Sequence, residues 1–124
     1  MIKFTKDHEW IKEVNGEYVV GITDYAQTEL GDVVFVDLPS AGAELGQGDT
    51  ALNVESVKAV SDVYAPVAGK VTAVNGELND SPQLVNESPL ENGWLVKMEI
   101  SDASQLDSLM DENAYSAYVE ELSK

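Results

Sequence analysis

Lys58 stands in the segment Val54-Glu55-Ser56-Val57-Lys58-Ala59-Val60-Ser61-Asp62-Val63, midway between two β-prone runs, where a tight hairpin places its tip. A lysine at such a tip projects a flexible stem into solvent, away from any core. That placement suits acylation, because a modifying enzyme reaches the amine and the attached group swings widely. An ordinary solvated turn lysine has the same local signature, so the surrounding sequence has to decide between the two. Glu55 and Ser56 precede the lysine on the same hairpin and are the candidates for recognition by an enzyme that attaches a group there.

Other chemistry is scarce. The chain has no cysteine, which excludes a thiolate nucleophile, a disulfide framework and Cys-based metal sites. Redox chemistry must therefore sit on something attached to the chain. His8 is the only histidine, so multi-histidine metal sites are excluded, and His8 itself reads as a packed structural residue, with a place beside a pocket as the alternative. No nucleophile–base pair, metal cluster or phosphate loop is visible, so the chain does not read as an enzyme.

The charge is lopsided, with 23 acidic residues against 7 lysines, no arginine, and a net charge of −16. Such a surface repels nucleic acid and anionic membranes, keeps the chain soluble, and steers it toward basic faces on partner proteins. The same charge predicts a monomer in isolation. No stretch approaches the ~18 apolar residues of a membrane helix. The opening MIKFTKDHEW lacks the patterns of a signal or transit peptide. The expected location is the cytoplasm, with a trimmed organelle protein as the alternative.

The elements that would hold Lys58 are short strands between frequent turn signals. Trp10–Val14 and Glu17–Ile22 flank Asn15-Gly16, suited to a type I′ hairpin turn. A helical turn is predicted over Asp24–Leu30, with Asp24 as cap, Gln27 in a capping-box position and Gly31 as stop. Strands follow at Val33–Asp37, Thr50–Glu55, Val60–Tyr64, Lys70–Val74 and Trp94–Ile100, and Asn79–Asn92 reads as an extended surface loop. From Ser101 the apolar spacing turns helical, giving two short helices capped by Ser101 or Asp102 and by Asp111. The whole predicts one domain, 1–124, mainly β: a flattened barrel or β-sandwich hybrid with a short helix in its N-terminal half and C-terminal helices over about 101–124.

Gly42, Gly46, Gly48, Asp49, Lys58, Ala65, Pro66, Gly69 and Val71 fall at the spacings of a biotinyl/lipoyl carrier domain, and the chain over 42–71 resembles that superfamily throughout. Biotin domains usually place methionine on both sides of the lysine, whereas here the neighbours are Val57 and Ala59, which favours lipoate. Outside that motif the chain is similar to one family in particular. Thr5-Lys6-Asp7-His8-Glu9-Trp10-Ile11, Gly21-Ile22-Thr23-Asp24-Tyr25-Ala26-Gln27, Leu30 to Val36, and Glu55-Ser56-Val57-Lys58-Ala59 resemble glycine cleavage system H proteins, as do Asn86, Pro89, Gly93 and Trp94.

That resemblance implies a lipoyl-domain fold and a non-catalytic shuttle with lipoate joined to Lys58 by an amide. It implies four kinds of partner. Glycine decarboxylase (P protein) loads an aminomethyl group, and aminomethyltransferase (T protein) takes it. Dihydrolipoamide dehydrogenase (L protein) reoxidises the dithiol, and a lipoate-attaching enzyme modifies the lysine. By matching positions, Glu9 and Asp62 are the carboxylates expected to hold the ammonium of the loaded arm; some relatives carry a histidine at the position of Glu29. A second purpose stays open, that of an H-like lipoate donor passing the cofactor to other carriers.

Overall fold

A computed structural model describes residues 1–122. Nine strands run β1 (Ile2–Phe4), β2 (Glu9–Val14), β3 (Glu17–Ile22), β4 (Val33–Asp37), β5 (Glu44–Leu45), β6 (Thr50–Ser56), β7 (Val60–Tyr64), β8 (Gly69–Val74) and β9 (Val96–Ile100). The helices are α1 (Asp24–Leu30), α2 (Leu84–Glu87) and α3 (Glu112–Leu122), with 3₁₀ turns at Gly76–Asn79 and Ala103–Ser108. The strands form a six-stranded sheet in the order β1-β2-β3-β9-β8-β5 and a three-stranded sheet in the order β4-β6-β7, every pair antiparallel. Both sheets are open, each with two free edges, so the sandwich half of the expected hybrid is realised and the closed barrel is not.

Alternation along the strands supplies two apolar layers. Ile11, Val20, Val71, Val96 and Met98 from the large sheet meet Val33, Val36, Leu52, Val54 and Val63 from the small one in the main core. The opposite face at the β1–β3 end carries Phe4, Trp10 and Val19, and α3 covers it with Tyr115 stacked on Phe4 at 4.5 Å between ring centroids. Gly21 makes room for this layer: a Cβ there would lie 2.5 Å from the Trp10 ring. The indole Nε1 donates to the carbonyls of Ile22 and Pro89, which ties the Pro89 segment to the sheet.

Local signals held in several places. Asn15 and Gly16 both have positive φ, at 53° and 84°, as a type I′ turn requires. Asp102 accepts from the Ser104 amide and Asp111 from the Ala114 amide, as caps should. Gly31 ends α1 with φ 80°.

Three expectations need correction. Thr23, one residue before Asp24, is the cap of α1: its hydroxyl accepts from the Ala26 amide, while Gln27 donates to the Asp24 carboxylate and makes no capping-box bond back to the cap. The stretch 79–92 is no extended loop. It contains α2 and follows a 3₁₀ turn, and Leu78 and Val85 are fully buried in the main core. A four-residue helix has no periodicity to read, so only its tertiary burial reveals it. The first tail element is a 3₁₀ helix, and of the tail the residues 123–124 lie outside the described range.

Candidate functional site

The β6–β7 hairpin carries Lys58 at its tip because Ser56 shapes the turn. The Ser56 hydroxyl accepts from the amides of Lys58 at 3.3 Å and Ala59 at 3.1 Å, and the Ser56 amide donates to the Ala59 carbonyl at 2.8 Å. A side chain that captures amides two and three residues on is the usual serine device for closing a turn. The Val57 amide donates to the Asp32 carbonyl at 3.0 Å, which fastens the tip to the residue following Gly31. Lys58 is exposed, but its stem does not simply point outward. A Cβ added at Gly31 would lie 3.4 Å from Lys58 Cε, so the stem runs over the glycine that ends α1. Gly31 is needed twice, for its left-handed φ and for this clearance.

Beside the tip opens a cleft of about 310 Å³. Residues 59–63 of the hairpin form one wall, Tyr25, Ala26, Glu29 and Leu30 of α1 the other, and Asp7, His8 and Glu9 the back. Ile22, Ala26, Leu30 and Val63 supply apolar surface among four carboxylates, those of Asp7, Glu9, Glu29 and Asp62. The fold therefore brings Glu9 and Asp62, distant in sequence, to one cavity adjoining Lys58.

The two carboxylates sit differently. Glu9 is buried at 2% exposure; its Oε1 accepts from the Thr5 hydroxyl at 2.6 Å and its Oε2 from the Tyr64 amide at 3.0 Å. Burial pushes its pKa up from the ordinary value, and the two hydrogen bonds oppose that shift. Asp62 is exposed on β7 and accepts a short hydrogen bond from the Asn53 amide group.

His8 closes the back of the cleft with its backbone at φ 69°. Its ring lies 4.4 Å from that of Tyr25 and 5.7 Å from that of Tyr118, and Nδ1 is 2.8 Å from the Tyr115 hydroxyl. That hydroxyl is also 2.7 Å from the Thr23 hydroxyl, so one phenol on α3 joins the histidine to the cap of α1. Partial burial lowers the His8 pKa, opposed by the nearby carboxylates of Asp7 and Glu29. The fold thus gives His8 the packed contacts of a structural residue and also a place on the cleft wall, so the two readings coexist. Asp7 and Tyr25 were not singled out as cavity residues from sequence. Their only signals were adjacency to His8 and to the start of α1.

Glu55 and Ser56 diverge. Cross-strand register sets Glu55 between Phe35 and Val60 on the outer face of the small sheet, while Ser56 turns inward and is buried. Among the described residues no cluster of three or more metal-ligating side chains occurs. No helix in that range is long and apolar enough to cross a membrane.

An exposed amine on a closed turn thus adjoins an apolar cleft with acidic groups. The family model for the glycine cleavage H-protein matches residues 2–122. The chain belongs to this family. It is 56% identical over 119 residues to the glycine cleavage system H protein of Staphylococcus epidermidis, covering 96% of this chain and 94% of that one. The H protein of a second strain of that species matches to the same degree. The crystal structure of a glycine cleavage system H protein from Mycobacterium marinum superposes with a TM-score of 0.85 at 33% identity, covering 99% of this chain and 97% of that one.

As a member of the H-protein family the protein is a carrier and not a catalyst. Its cofactor is lipoate on a lysine, and it shuttles between the P, T and L proteins of the glycine cleavage system. The tip and cleft suit that cofactor, since the lysine amine is accessible and the adjoining cavity has room and apolar walls for an alkyl arm.

Proposed function

We propose that Lys58 is the lysine that carries lipoate and that the adjoining cleft receives the loaded arm. The observation that carries this reading is the cleft beginning at Ala59, one residue past the lysine, with Glu9 and Asp62 among the four carboxylates that line it. Attached to Lys58, lipoate supplies the disulfide that this cysteine-free chain lacks, taking up the aminomethyl group and later exchanging electrons.

The protein's own side chains then position and protect the cargo. Asp62, the exposed carboxylate, pairs directly with the cargo ammonium. Glu9 lies behind it, its two oxygens already engaged by Thr5 and Tyr64, and contributes negative potential through the wall. Ile22, Leu30 and Val63 exclude water from one side of the arm. Ser56 fixes the shape of the turn that the lipoate-attaching enzyme reads, and Glu55 offers that enzyme a charge on the outer face. Residues 1–124 act as one carrier domain, and relatives from a bacterium support a cytoplasmic location.

Intact mass and peptide mapping after incubation with lipoate, ATP and a lipoate ligase test the first part. A single lipoyl addition confined to Lys58 is expected; no addition, or addition elsewhere, removes the assignment. For the cleft, Glu9→Gln combined with Asp62→Asn should speed ammonia release from the loaded arm, and unchanged release would remove both residues from the pocket.

A further inference from the structure

Eight large apolar side chains are exposed among the described residues, and four of them, Val34 (52%), Phe35 (47%), Val57 (69%) and Val60 (65%), gather at the end of the small sheet that carries Lys58. The other four are Met1, Val14, Leu90 and Leu122, none of them on the small sheet. Scattered exposed apolar residues need no explanation, but a cluster beside a reactive group does.

The cluster is built by the backbone. A regular strand would turn one of Val34 and Phe35 inward. Here the β4–β6 register shifts between Val33 and Phe35, so Val34 is the extra residue of a bulge and both side chains face out. β4 is also an edge strand, so no neighbouring strand flanks it on that side. Phe35 pairs with Glu55 and Glu55 with Val60, which sets an acid between two apolar side chains in one row across the outer face. Asp37, Asn53 and Asp62 form the next row. The result is an apolar pad with Glu55 at its centre and carboxylates around it.

We infer that this pad, Val34, Phe35, Val57 and Val60 around Glu55, is the docking surface for the lipoate-attaching enzyme, which meets it with an apolar face, a cation for Glu55 and a basic rim. The inference rests on Lys58 being the lipoylated residue. Reach selects this occupant over the other partners. Before modification only the short lysine stem enters an active site, so the attaching enzyme has to close over the tip and cover Val57 and its neighbours. After modification the far longer arm lets the decarboxylase, transferase and dehydrogenase work at greater distance from the sheet. In the reaction a bond forms between Lys58 Nζ and the lipoyl carboxyl carbon, and the bond to the activating AMP breaks. AMP leaves with the electron pair, and the amine proton passes to solvent.

Steady-state lipoylation of the full chain by a lipoate ligase with lipoate and ATP tests this. Phe35→Ser and Val34→Ser should each raise the KM for the carrier about tenfold with little change in kcat, while Val14→Ser, an exposed valine far from the tip, stays within about twofold. All three sites are at least two-fifths exposed, and thermal melts check that each variant is folded. The same variants, lipoylated to completion at high ligase concentration, should be reduced and reoxidised by dihydrolipoamide dehydrogenase with wild-type KM. Pad variants with wild-type KM toward the ligase overturn the proposal, and so does an equal loss toward the dehydrogenase. Failure of wild-type protein to take lipoate at Lys58 would instead overturn the attachment site itself, a separate and recognisable outcome.

Discussion

His8 shows how a single residue can serve both packing and the cleft. Its ring is held among Tyr25, Tyr115 and Tyr118 on one side and borders the cleft beside Lys58 on the other. Burial holds its folded pKa below the usual 6.5, so the native state binds its proton less readily than the unfolded chain. The sign follows from linkage: the stabilisation is complete above pH 6.5 and is lost as pH falls through the folded value. Asparagine tolerates a left-handed φ and does not titrate here, so His8→Asn keeps the backbone and removes the proton site. The difference in melting temperature between wild type and His8→Asn should therefore shrink as pH falls from neutral toward 5. A constant difference would mean that the ring's protonation is not coupled to folding. Glu9 has the opposite linkage, since burial raises its pKa and its protonated form favours the fold.

At the scale of elements, the site depends on how α1 meets the hairpin, and Asn86 of α2 decides that meeting. Its Oδ1 accepts from the Val33 amide at 2.8 Å, and its Nδ2 donates to the Gly31 carbonyl at 2.9 Å and to Gln27 Oε1 at 3.0 Å. One side-chain amide thus joins the end of α1 to the start of β4, next to the lysine stem that crosses Gly31. Asn86→Ala would leave partly buried backbone groups unpaired, a cost of about 2–4 kcal/mol summed over the amide and the carbonyl. Urea unfolding should register that loss, and lipoylation of the folded fraction should slow because the tip loses its support. A loss under about 0.5 kcal/mol would show that water replaces the amide without penalty. Tyr115 does the same work from α3, bonding His8 and the Thr23 cap together.

For the molecule as a whole, the net charge of −16 is the dominant long-range property. One small body has to be found in turn by several enzymes, and a strong field of one sign raises encounter rates with any partner presenting a basic face. Raising the ionic strength from about 0.1 M to about 1 M shortens the Debye length from ~10 Å to ~3 Å. The KM of the decarboxylase for the carrier should rise about tenfold or more over that range, at little cost to its turnover number. A salt-independent KM would assign the acidic surface to solubility alone. Lipoylation removes one more positive charge and leaves this field in place.

Much was legible in the residues themselves. The absence of cysteine and arginine, the single histidine and the lysine between two β-prone runs are facts of composition and order, and they excluded most chemistries without a fold. Strand periodicity is local, so β3, β4 and β7 read correctly to the residue and β6 to within one. The turn at Asn15-Gly16 carries its own conformational signature in two residues that accept positive φ. Residues at long sequence separation carry no such mark. The cleft needed Glu9, Tyr25 and Asp62 from three elements, and nothing in their immediate neighbours states that they face one space. Likewise β1, β5 and α2 are too short to show a period and exist because other parts of the chain bury or pair them. The sequence by itself determined which side chains are available for chemistry and singled out Lys58 as the candidate, because those depend on residue type and local order. Only the tertiary structure decided what surrounds that group, because burial, cross-strand register and the lie of the Lys58 stem over Gly31 come from contacts between distant segments.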